Sequence, residues 1–133
     1  MSCEVSEAMH REAKIMKKKG IDEEYAKEWW IKTEPMINDK VACNLDIQTM
    51  VLEILGKNYV PVKSKHYTLL TDIKKFVEDR LNEDGISVKI KLKKLKEIMK
   101  TLGFNPAEGC ANKVWLIQYY PNSLYRVGWW SFD

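Results

Sequence analysis

The sequence predicts an α+β, mostly helical fold that ends in a β-hairpin. Three observations predict it. Apolar residues recur at three- and four-residue steps through five successive segments, which is helical periodicity. Capping and turn residues sit where those segments begin and end. From residue 113 onward the pattern changes to β-branched and aromatic residues on both sides of a four-residue turn. The chain has 133 residues, the size of one domain with one sizeable core.

The first helix is expected over residues 5–19, where Val5, Ala8, Met9, Ala13 and Met16 share a face and Lys17 to Lys19 followed by Gly20 signal the C-terminal end. Asp22 is the expected N-cap of the second, with Glu23 and Glu24 in its first turn. That helix carries Trp29 and Trp30, which either pack on the domain or form an exposed contact patch. Pro35 should stop it, because the residue before a proline avoids the helical region, and Asn38 and Asp39 should lie in a loop. A third helix is expected over roughly 46–55, with Gly56 in a left-handed C-terminal position. Residues 59–62 read as a short or edge strand, since Pro61 cannot donate to a ladder.

A fourth helix is expected over about 69–81, capped by Thr68, with Leu70, Ile73, Val77 and Leu81 as its stripe. Asn82-Glu83-Asp84-Gly85 is a turn signal. A fifth is expected over about 88–102, capped by Ser87 and ended by Gly103. Asn105, Pro106 and Gly109 mark a loop, and residues 113–131 form the hairpin around the turn Pro121-Asn122-Ser123-Leu124.

Several function classes are excluded by what the chain lacks. No apolar run approaches the roughly 20 residues of a membrane span, and MSCEVSEAMHREAK has no apolar signal region. A soluble, cytoplasmic protein with no membrane partner is therefore expected. Cys3, Cys43 and Cys110 are scattered and odd in number, which is no disulfide framework and, with only His10 and His66, no metal site. The adjacent acids Glu23/Glu24 and Glu78/Asp79 sit on predicted helices as ordinary solvated charge. No GxSxG, HExxH or EF-hand spacing occurs. No catalytic residue, metal or cofactor is expected, and the protein is read as a non-enzyme.

The charge is unevenly spread. Residues 1–60 hold nine Lys/Arg against eleven Asp/Glu, a net −2, and residues 61–133 hold thirteen against eight, a net +5. A polyanionic partner belongs to the second half. On the fifth predicted helix, Val88, Leu92, Leu95, Ile98, Met99 and Leu102 fall on one side. Lys89, Lys93, Lys96 and Lys100 form a stripe on another, with Glu97 at its edge. Lysines so close repel one another, and a phosphate backbone would relieve that repulsion and release counterions. The alternative is a solvated lysine face with no partner.

Helix, short strand, helix, turn, helix and hairpin is the order in which the chain resembles the winged helix-turn-helix family, over residues 45–132. The resemblance divides the chain into an N-terminal helical extension, 1–44, and a winged-helix domain, 45–133. It implies that the helix after the turn enters the major groove while the wing touches the flanking backbone. The expected contacts are Lys89, Lys93, Lys96 and Lys100, with Lys113 and Arg126 from the hairpin. The connection over 82–87 is longer than a tight helix-turn-helix turn. The helix offers no Arg, Asn or Gln to read base edges, and the wing tip is uncharged. Backbone-dominated or structure-selective contact with double-stranded DNA is the reading that follows.

A finer resemblance lies in Leu92-Lys93-Lys94-Leu95-Lys96-Glu97-Ile98-Met99-Lys100-Thr101-Leu102-Gly103-Phe104 before the aromatic hairpin. It is similar to the winged-helix module at the C-terminal end of phage, plasmid and viral primase–helicases, which implies a role in replication. The chain has no Walker-type glycine loop, so the likeness reaches the module and not the motor.

Both hairpin faces are largely apolar. If Tyr120 faces Tyr125, Val114, Leu116, Tyr120, Tyr125, Val127 and Trp129 share one, and Trp115, Ile117, Tyr119, Arg126 and Trp130 share the other. One packs on the helices. The second needs cover from the N-terminal helices, from a second subunit, or from unstacked bases. The alternative function is thus a winged-helix protein–protein interaction module, joining a homodimer or a larger replication or transcription assembly through aromatic surface.

Overall fold

The computed structural model describes residue 11 and residues 13–63 and 66–121. Residues 13–18 are helical and close on a left-handed Gly20 (φ +73°), with Ile21 N–H donating to Met16 O at 2.8 Å. The elements that follow are α1 (Glu23–Cys43), α2 (Ile47–Asn58), β1 (Tyr59–Pro61), β2 (Thr68–Leu69), α3 (Leu70–Glu83), α4 (Leu92–Thr101), β3 (Val114–Trp115) and β4 (Ile117–Tyr119). The fold is α+β and mostly helical.

Asp22 caps α1 as its sequence position predicts, accepting Tyr25 N–H at 3.2 Å. Asp46 caps α2 in the same way through Thr49 N–H at 2.8 Å. Pro35 does not stop its helix: α1 runs through it to Cys43, and Asn38 and Asp39 are helical. The local cost of an interior proline is about 3 kcal/mol. Ala26, Trp30 and Thr33 before it and Ile37 after it are all buried on one face. Burying a side chain the size of Ile37 beyond the proline is worth roughly 1.5–3 kcal/mol, and with Met36 and Val41 partly packed on the core it offsets the local penalty.

Gly56 is also corrected. It lies inside α2, with no left-handed backbone, and a Cβ placed there would collide with Ile37 Cδ1. Its hydrogen lets α1 approach α2 closely.

Two further caps fall elsewhere. Thr68 belongs to β2 and donates its hydroxyl to Ile117 O at 2.6 Å, so α3 begins at Leu70 with no side-chain cap. The helix expected over 88–102 begins at Leu92, not Val88, and Ser87 caps nothing. The intervening stretch is held extended, because Ile90 is buried and its N–H donates to Glu78 Oε2 on α3 at 2.7 Å. A first helical turn at 88–91 would forfeit both. Gly103 does end α4 in a left-handed conformation (φ +82°), with Phe104 N–H returning to Met99 O at 3.0 Å.

The sheets are small and antiparallel. β1 pairs with β4 in the register Tyr59↔Tyr119 and Pro61↔Ile117, and β2 pairs with β3 in the register Thr68↔Trp115. Pro61 tolerates this position because its two-stranded sheet leaves it an edge. The second hairpin strand and the wing tip beyond Pro121 lie outside the described residues, as does Arg126.

Trp115, Ile117 and Tyr120 are buried. Tyr119 packs edge-on against Tyr59 and Phe76, at 5.8 and 5.3 Å between ring centroids, with the Lys19 ammonium 5.5 Å over its ring. Tyr119 is thus only partly covered from within the chain and keeps 42% of its surface exposed. Buried side chains from Met16 to Tyr120 form one continuous cluster. The N-terminal segment and the 45–121 region share it.

Candidate nucleic-acid interface

The helix that carries the lysines is fixed at both ends and along one side. Leu95, Ile98 and Met99 bury its inner face. At its C-terminal end, Trp29 of α1 donates its indole N–H to Leu102 O at 2.6 Å and stacks on Phe104 at 5.3 Å. Trp30, 3% exposed, lies 5.8 Å from Trp29. The tryptophan pair thus packs on the domain. At the N-terminal end, Glu78 holds the preceding segment through Ile90.

On the outer face, Lys93, Lys96 and Lys100 occupy a sector of roughly 60° at ~100° per residue. Lys93 and Lys100 are exposed and Lys96 is partly exposed. Glu97, the acid nearest this sector, pairs with Lys94 at 3.4 Å on its far side. Among the described residues, Lys89, Lys93, Lys96, Lys100 and Lys113 form no ion pair.

Of the expected four-lysine stripe, Lys93, Lys96 and Lys100 lie on α4 and Lys89 does not. Lys89 is exposed but precedes the helix, on the extended stretch held by Glu78. Lys113 is exposed at the foot of β3, where its carbonyl accepts Leu70 N–H at 2.8 Å; it belongs to the α3 end of the fold. Lys91, which the helical reading passed over, is the exposed N-cap residue of α4. The alternation Val88-Lys89-Ile90-Lys91-Leu92 is a period-two signal that could have found it.

The helix start is electrostatically unfavourable. The first turn of α4 has no acid and no side-chain cap, while Lys89, Lys91, Lys93 and Lys94 crowd the positive end of its dipole. Where acids do occur, their protonation is tied to structure. Glu78 is held below its ordinary pKa, first by Lys74 at 2.9 Å and then by the Ile90 N–H. Asp46 and Asp22 are lowered chiefly by the N–H groups of Thr49 and Tyr25 that they cap. Burial pushes Tyr59 up to about 12.

Among the described residues, no three His, Cys, Asp or Glu side chains gather as a metal-binding group, and no helix is long and apolar enough to cross a membrane. Comparison with family models, curated proteins and solved structures finds no match.

Proposed function

We propose that the protein is a winged-helix DNA-binding protein acting in replication or transcription inside the cell. It grips double-stranded DNA mainly by its phosphates, without reading base edges. The observation that carries this reading is the outer face of α4. Lys93, Lys96 and Lys100 point outward with no acid paired to them, on a helix anchored at both ends. Such a face is costly in isolation and favourable beside a polyanion. Lys89 extends the charge before the helix, and Lys113 and Arg126 are the proposed flanking contacts. Lysine suits this role because it is a flexible point charge, matched to phosphate rather than to a particular base.

A gel-shift assay with two duplexes of unrelated sequence tests it. Lys96→Ala should weaken binding by a similar factor on both and lower the salt slope by roughly one. A loss confined to one duplex, or a wild-type affinity that ignores salt, overturns it.

A further inference from the structure

An open cleft of about 290 Å³ lies between the start of α2 and the extended stretch that precedes α4. Its floor is aliphatic, with Ile47, Val51 and Val88 among its lining, and its rim carries Lys89, Lys91 and Lys94. No carboxylate lines it. Ile47 keeps 42% of its surface exposed at this edge. Lys94 spends part of its charge on Glu97 and Asp46, and Lys89 part of its charge on Glu78, whereas Lys91 makes no ion pair among the described residues.

We propose that this cleft docks an acidic peptide segment of a partner protein, seating one or two aliphatic side chains on the floor and their flanking carboxylates on the lysine rim. Charge complementarity selects this occupant: a rim of one sign without a lining acid calls for a ligand of the other. A splayed nucleobase fits the lining less well, since no aromatic plate is present for stacking. The inference does not depend on the duplex reading, because the apolar floor carries no proposed phosphate contact; Lys89 on the rim is the one residue the two readings share.

The test is amide NMR of the full chain, titrated with the acidic octapeptide DDLEDLDE and with its serine counterpart DDSEDSDE. Saturable shifts at Ile47–Val51 and Val88–Lys94 are expected with the leucine peptide, with at least roughly tenfold weaker binding for the serine peptide. Ile47→Ser changes a residue that is 42% exposed at the first position of α2. It should weaken the leucine peptide by a similar factor while leaving duplex affinity and its salt slope unchanged. Equal binding of both peptides, shifts confined to Lys96 and Lys100, or no saturable shift up to about 1 mM peptide would overturn the proposal. So would concentration-dependent shifts of the same amides without peptide, which would assign the cleft to a second copy of the chain.

Discussion

The Glu78 carboxylate of α3 accepts the backbone N–H of Ile90 at 2.7 Å, and that bond sets where the lysine-bearing helix begins. The same carboxylate binds Lys74 Nζ at 2.9 Å. Replacing it by Gln keeps the shape but removes the charge that strengthens both bonds. Glu78→Gln should lower stability by about 1 kcal/mol and raise hydrogen exchange at Ile90. The sign of its pH dependence follows from the lowered pKa. The contribution is full above the ordinary carboxyl value of 4.5 and is lost as pH falls through the lower folded-state value. Urea midpoints of wild type and Glu78→Gln should therefore differ at pH 7 and converge in acid. A gap that persists once the carboxyl is fully protonated would mean the carboxylate charge is not the cause.

Gly56→Ala removes a poor helix former from the interior of α2, which alone is worth about 1 kcal/mol in favour. The new methyl would meet Ile37 Cδ1, so a net loss of roughly 1–3 kcal/mol is expected instead. Adding Ile37→Val should restore part of it, and strictly additive losses would show that the two residues do not compete for the same space.

Pro35→Ala should act in the opposite direction. Pro35 is exposed on a helix that runs eight residues beyond it, so its replacement loses little packing. A gain of about 2 kcal/mol is expected, the proline penalty less its benefit in the unfolded chain. A lower melting temperature would mean that a bend at this position is needed to seat Ile37.

Trp29→Phe keeps a ring against Phe104 but deletes the donor to Leu102 O. A loss of about 1 kcal/mol is expected, with increased hydrogen exchange confined to the last turn of α4. Unchanged protection there would show that the left-handed Gly103 holds that end without help.

These residues also show how far the sequence reaches. Asp22, Gly20, Gly85 and Gly103 announce themselves because capping and left-handed turns are local chemistry, decided within four or five residues. Pro35 and Gly56 mislead because their local preference is overruled by one long-range contact, Ile37 packed over Gly56. The start of α4 misleads for a different reason. Val88, Leu92 and Leu95 satisfy helical spacing, yet Val88, Ile90 and Leu92 also alternate, and the Glu78 carboxylate decides between the two periods. Of the proposed contacts, the run Lys93, Lys96 and Lys100 was legible because helical spacing alone places it. Lys91 shows only through the alternation of Val88, Ile90 and Leu92, and the apolar cleft not at all, since it depends on how the extended stretch before α4 packs.

The most direct measurement is the salt dependence of binding to a random-sequence duplex, for wild type and for the variant with Lys93, Lys96 and Lys100 all changed to Ala. Fluorescence anisotropy should give a wild-type plot of log affinity against log salt that falls with a slope of about −3 or steeper, flattened by roughly three in the variant at unchanged fold. A wild type that binds with a flat response, or a variant whose slope matches it, would contradict the claim that this helix face meets phosphate.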